Sequence, residues 1–220
     1  MPEFALNLPA IFWTSFLVCF SGALAPGPML VLVVRESVRH GLVAGPLVST
    51  GHAALELLVV GLLLLGLGQW LQAPIVAAVI GIVGGLFLLW MAWGTVRASG
   101  EFPLGAPKSH PRPQQSRLGP VVGGVLASLS NPYWFIWWIT VGLVFLTRSL
   151  PLGLLGVGAF YLGHILGDYA WYTLVSTAIA SGRRVMGPKV YRGILLACAI
   201  FLAGLGGYFL FSGVWRLSSG

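Results

Sequence analysis

The sequence predicts an all-α integral membrane protein of six transmembrane helices, built as two inverted three-helix repeats. Three observations lead there. The 220 residues are 57% hydrophobic and 8% charged, with a mean hydropathy of +0.92, and their apolar runs exceed the ~20 residues that cross a hydrocarbon core. One short pattern occurs twice: Gly51-His52-Ala53-Ala54-Leu55-Glu56 and Gly163-His164-Ile165-Leu166-Gly167-Asp168 are each Gly-His-x-x-x-acid within an apolar segment. Proline motifs also interrupt the first helix of each half. Three helices per half is an odd number, so the second half must run inverted relative to the first.

In order, the helices are expected at 9–34, 41–67, 74–98, 119–147, 151–180 and 190–214. The first carries Ala25-Pro26-Gly27-Pro28 and the fourth Ser130-Asn131-Pro132. Proline removes a backbone donor and clashes with the carbonyl four residues earlier, so both helices should kink or unwind there. The second and fifth carry the two His-acid pairs. The third and sixth share Gly-Gly-x-Phe-Leu, at 84–88 and 206–210, with small residues every four positions at Ala77, Gly81, Gly85 and at Ala199, Ala203, Gly207. Such stripes let helix backbones approach closely, within one chain or across a homodimer. Residues 1–98 and 119–220 form the two repeats of one membrane domain. The Pro-rich segment 99–118 reads as a cytoplasmic connector.

A net charge of +7 would suggest nucleic acid in a soluble protein, but its placement gives topology instead. Ten of the twelve basic residues fall in the loops after the first, third and fifth helices, leaving Arg148 and Arg216 opposite. The positive-inside rule makes those loops cytoplasmic and puts both termini outside. The N-terminus, with Glu3 and no early Lys or Arg, lacks the charged start of a cleavable signal peptide. A plasma membrane of prokaryotic type, the inner membrane, is the expected location. Cys19 and Cys198 lie in apolar helices without a CxxC pattern and read as small packing residues. Trp70, Trp215 and Phe12-Trp13, near helix ends, read as interfacial anchors.

Only five acidic residues exist in the chain, and two belong to the repeated motif. An ionised group near a bilayer centre costs roughly 2.5–3.5 kcal/mol or more, so it faces a protein interior or a water-filled path. His and acid at i and i+4 share one helix face. With the inverted topology, the half-helices after Pro28 and Pro132 both start near mid-membrane. They direct unpaired N–H groups and positive dipole ends at the protein centre. That suits a carboxylate, while Glu56 and Asp168 suit an amine or a proton. The expected cargo is a small zwitterion.

The Pro26-Gly27-Pro28 break with the following Gly41, Gly45 and Gly51, the Asn131-Pro132 break and the six-helix length together resemble the lysine-exporter (LysE-type) superfamily of amino-acid exporters. The resemblance covers nearly the whole chain. It implies export of amino acids or related metabolites, driven by the proton gradient, from a dimer. The His-acid pairs and the aromatic run Tyr133-Trp134-Phe135-Ile136-Trp137-Trp138 depart from the family pattern, and Tyr133 stands where a typical member has Lys after Asn-Pro. Only Pro26, Gly27, Pro28, Asn131 and Pro132 are carried over, as break positions, with no substrate specificity.

These residues have expected roles. The N–H groups after Pro28 and Pro132 hold a substrate carboxylate that Asn131 orients. Glu56 and Asp168 bind the substrate amine or exchange protons, and His52 and His164 hydrogen-bond the acids. Alternatively each His satisfies only its own i+4 acid. The aromatic run reads as packing and lipid contact, with Tyr133 and Trp137 on one face able to line a pathway. A second transport reading makes His52, Glu56, His164 and Asp168 ligands of an exported divalent metal. Electron carriage would need cysteines meeting at the breaks, and Cys198 lies in the wrong helix. No nucleophile–base pair, phosphate loop or haem motif points to an enzyme or a cofactor.

Overall fold

The computed structural model describes residues 7–66, 73–99, 118–182 and 188–218, and every described element is helical. α1 (Leu8–Ala23) is capped by Asn7, whose Oδ1 accepts the Ala10 N–H at 2.9 Å. It stops short of Pro26 and Pro28, neither of which can donate to a helical ladder. The backbone instead closes tight turns, Ala25 N–H to Gly22 O at 3.2 Å and Gly27 N–H to Ala25 O at 2.7 Å. α2 (Pro28–His40) then starts with its proline at a position that needs no donor. A 3₁₀ turn, Gly41–Val43, leads to α3 (Ala44–Leu64), and α4 is Pro74–Ser99.

The second break follows α5 (Leu118–Leu129). There Asn131 caps α6 (Pro132–Trp137), its Oδ1 accepting the Tyr133 N–H at 3.1 Å. A π-helical stretch, Trp138–Gly142, joins α6 to α7 (Leu143–Ser149). A 3₁₀ turn, Leu150–Leu152, precedes α8 (Gly153–Gly182), and α9 is Pro188–Ser218. Two glycines sit at positive φ near these joints, Gly41 at +65° opening the turn before α3 and Gly153 at +60° opening α8. The offset separating those two glycines is the one separating the two His-acid motifs.

Some boundaries differ from expectation. The helix expected at 9–34 is α1 plus α2, and α2 continues to His40. The helix expected at 119–147 is α5, α6 and α7, and the one expected at 41–67 ends at Leu64. The connector lies outside the described residues except at its ends, as do Trp70, Arg183 and Arg184. Stretches within Pro28–Leu64, Ala78–Arg97, Pro132–Gly182 and Arg192–Ser218 are long and apolar enough to cross a membrane, while Leu8–Ala23 and Leu118–Leu129 are shorter apolar helices. Exposed Trp13, Trp90, Trp93, Leu154 and Phe211 suit contact with acyl chains.

Glycines set the packing. α1 lies on α8 and α5 on α3, with α2 against both long helices. A Cβ at Gly51 would overlap the Val121 carbonyl of α5, and one at Gly163 would overlap the Phe12 carbonyl of α1. The glycine that opens each His-acid motif is therefore where the broken helix of the other half crosses. α4 and α9 pack on each other through Ala78, Gly85 and Ala92 against Ala199, Gly206 and Gly213. On α9 the seam has heptad spacing, because 3.6 residues per turn carries every fourth residue off a straight seam, while on α4 Gly81 and Gly85 of the expected stripe both face α9. Ala203 and Gly207 accordingly face outward, a correction to the expected stripe.

Gly51→Ala should destabilise the protein by about 1–3 kcal/mol through overpacking against backbone, seen as a lower Tm in detergent. Gly158→Ala, which adds a methyl where no atom lies within 4 Å, should not lower it.

Candidate functional site

Both broken helices and both His-acid motifs converge on one partly open cavity. Ala25 and Gly27 from the first break, Asn131 and Tyr133 from the second, and His52, Glu56, His164 and Asp168 all line it. Its free space is about 50 Å³, room for a few water molecules and no more. The two breaks also meet, since the Asn131 Nδ2 would stand 3.4 Å from a Cβ placed on Gly27. Pro28 and Pro132 are buried where their helices begin, and Pro26 lies within the first break.

The four ionisable groups form one cross-linked cluster rather than two separate i+4 pairs. Glu56 Oε1 contacts His52 Nε2 at 3.1 Å, and Glu56 Oε2 contacts His164 Nε2 at 3.1 Å from the other half. Asp168 Oδ2 stands 3.5 Å from His164 Nε2 and 3.6 Å from His52 Nε2. All four residues are buried. The reading in which each His serves only its own helix is therefore wrong for this fold: α3 and α8 approach closely enough for each imidazole to reach both acids.

Tryptophan supplies partners that sequence reasoning missed. Trp134 and Trp138 each donate their indole N–H to Glu56 Oε1 at 2.9 Å. The aromatic run was expected to serve packing and lipid contact, but α6 and the π turn direct Trp134, Trp137 and Trp138 inward. The signal was there in principle, since a buried indole N–H needs an acceptor and carboxylates are scarce. Tyr133 and Trp137, expected on one face, both hold the last turn of α1. The Tyr133 hydroxyl donates to Ser21 O at 3.0 Å, and Trp137 Nε1 donates to Ser21 Oγ at 2.9 Å. The Trp137 ring also lies 4.6 Å from the His164 ring, centroid to centroid.

The bonding pattern places protons. Ser128 Oγ donates to Gly124 O at 2.8 Å and lies 2.6 Å from His52 Nδ1. A hydroxyl carries one hydrogen, so the arrangement that satisfies both contacts has His52 Nδ1–H donating to Ser128. The other nitrogen faces carboxylate oxygens, and a proton must lie in that contact for it to attract. Glu56 is thus the best-served acid. Its donors gather on Oε1, while Glu56 Oε2, Asp168 Oδ2 and His164 Nδ1 have no hydrogen-bond partner among the described residues. Cys19, expected as a packing residue, reaches this second side of the cluster with His164 and Asp168.

The donors after Pro132 are not free as expected. Asn131 accepts from Tyr133 N–H through its side chain and from Trp134 N–H through its carbonyl, the latter at 3.1 Å. The N-cap of α2 is Gly27, which has no side chain to cap the first turn as Asn131 caps α6.

Apolar helices broken at two points and closed around buried ionisable groups define a multi-pass membrane translocator. The chain belongs to the LysE type translocator family, whose model matches residues 20–213. It is a transporter and not an enzyme. It is 28% identical over 165 residues to the uncharacterized membrane protein YahN of Escherichia coli K12, covering 70% of this chain and 68% of that one. It is 22% identical to YcgF of Bacillus subtilis 168, provisionally named an amino acid efflux protein, over 92% of this chain and 97% of that one. It is 26% identical to the leucine efflux protein of Enterobacter sp. 638, over 63% of this chain and 64% of that one. No solved structure matches.

Trp134→Phe and Trp138→Phe each remove one hydrogen bond to a charged acceptor, a contact worth about 1.5–3 kcal/mol. Each should lower the Tm, and a double-mutant cycle with Glu56→Gln should show the loss shrinking once the charge is gone.

Proposed function

We propose that this protein is a secondary active exporter of amino acids or similar small zwitterionic metabolites, coupled to inward proton movement across the inner membrane. One observation carries the reading most: both helix breaks and both His-acid motifs line a single cavity in which carboxylate oxygens of Glu56 and Asp168 are buried without a hydrogen-bond partner among the described residues. Leucine and amino acid efflux in the names of similar proteins supports the substrate class over divalent metal export. The paired positive-φ glycines, the reciprocal crossings at Gly51 and Gly163 and the two breaks support two inverted repeats, 1–98 and 119–220.

In this reading the substrate carboxylate sits at the uncapped start of α2, beside the Asn131 amide. The Asn131 carbonyls keep the α6 donors for themselves, so the carboxylate site has one helix end rather than two. Asp168 takes the substrate amine or a proton in competition. Glu56, already engaged by two indoles and two imidazoles, holds the helices around it. Competition between proton and amine for Asp168 exchanges protons inward for amino acid outward by mass action. His52 relays between the acids and Ser128. The cavity is too small for a leucine-sized cargo, so access requires separating α6 from α1. The Tyr133 and Trp137 bonds to Ser21 are the contacts that break in that step. Both termini lie outside in the proposed topology, and a homodimer is the proposed assembly.

The two acids should separate by experiment in vesicles reconstituted with purified protein. Asp168→Asn should reduce pH-gradient-driven amino-acid efflux at least tenfold, about 1.4 kcal/mol on a rate, while leaving the Tm near that of the parent. Glu56→Gln should lower the Tm as well as flux. Undiminished gradient-driven flux in Asp168→Asn would falsify the coupling role. Asn131→Ala should raise the KM for amino acids more than it changes the maximal rate.

A further inference from the structure

The two sides of the ionisable cluster are chemically unequal. In the register that sets Phe12 of α1 on Gly163 and Val121 of α5 on Gly51, Cys19 of α1 corresponds to Ser128 of α5. Ser128 bonds His52 Nδ1. On the other side a thiol stands in place of the hydroxyl, and His164 Nδ1 has no partner. Only 5% of the His164 side chain is exposed. A Cys19 sulfur, a His164 ring nitrogen and an Asp168 carboxylate oxygen all lie within 4.8 Å of one another. A tetrahedral Zn²⁺ with bonds of roughly 2.0–2.3 Å holds its ligands about 3.3–3.8 Å apart. Small rotamer shifts close that gap.

We propose that Cys19, His164 and Asp168 form a binding site for a soft divalent cation such as Zn²⁺ or Cd²⁺, which inhibits transport by occupying the cavity. Sulfur with imidazole selects this class over Mg²⁺ or Ca²⁺. As the metal–sulfur bond forms, the S–H bond breaks and its proton leaves to solvent; the imidazole and carboxylate give lone pairs, and nothing is oxidised. Affinity therefore falls as pH falls. In this proposal the bound ion is an inhibitor and not cargo. The two cysteines of the chain make the site easy to isolate, Cys198 lying apart in α9 against Val31, Leu88 and Leu202.

The test is a Cd²⁺ titration of the full-length Cys198→Ala protein in detergent, following the ultraviolet thiolate-to-metal charge-transfer band. A band that saturates at one ion per chain is expected. It should vanish in the Cys19→Ser/Cys198→Ala protein and weaken at least roughly tenfold in affinity with His164→Gln. On the unsubstituted chain, Zn²⁺ should raise the Tm and Mg²⁺ should not. Absence of the band with the thiol reduced, an affinity indifferent to His164→Gln, or no Zn²⁺-dependent Tm rise overturns the proposal. These readouts need no transport, so their failure leaves the amino-acid reading standing and its failure leaves them standing.

Discussion

A carboxylate taken out of water must be answered by donors, or the fold that buries it does not form. Glu56 is answered from three directions. His52 comes from its own helix, His164 from α8, and the Trp134 and Trp138 indoles from α6 and the π turn. Each partner fixes one element relative to α3, so the charge determines where α6 and α8 lie. The close approach of α8 to α3 is available because Gly45 presents no side chain to the Tyr172 backbone of α8. Charge and glycine are parts of one solution: the small residue admits the backbone that carries the donor.

Asp168 is held much more loosely. Its imidazole neighbours stand at 3.5 and 3.6 Å, beyond the range of a good charge-assisted bond. Two acids of similar sequence context thus divide into one that organises and one that remains available. In a transport cycle the available acid is the one whose occupant can change at little cost to packing. In the proposed cycle, the Tyr133 and Trp137 bonds to Ser21 keep that exchange from becoming a continuous leak between the two sides of the membrane.

Much of this was legible in the sequence, and the parts that were not share a cause. Pro26, Pro28 and Pro132 announced the breaks because a missing donor acts locally. The His-acid motifs announced a buried polar site because charge is scarce in so apolar a chain. The partners across the halves were invisible, since helical spacing relates only residues of one helix and cannot say that His164 reaches Glu56. Trp134 and Trp138 read as packing and lipid contact, and only their burial shows that their N–H groups need acceptors. Cys19 carried no pattern at all, and its importance comes wholly from the α1–α8 crossing. The α9 stripe was misplaced because fourfold spacing was read where a sevenfold seam packs, leaving Gly207 outside and Gly206 within.

The breaks themselves are of different lengths. Leu24–Gly27 separates α1 from α2, whereas only Ser130 and Asn131 separate α5 from α6, and Asn131 is itself tied down as a cap. Each backbone residue fixed in one conformation gives up roughly 1–2 kcal/mol of entropy, though the ring of Pro26 has already surrendered part of its share. The first break therefore has more backbone to fix than the second, and holds it by backbone turns where the second has a side-chain cap. In the proposed transport cycle, opposite-facing forms that close on two unlike breaks would be unequally populated before any gradient is applied.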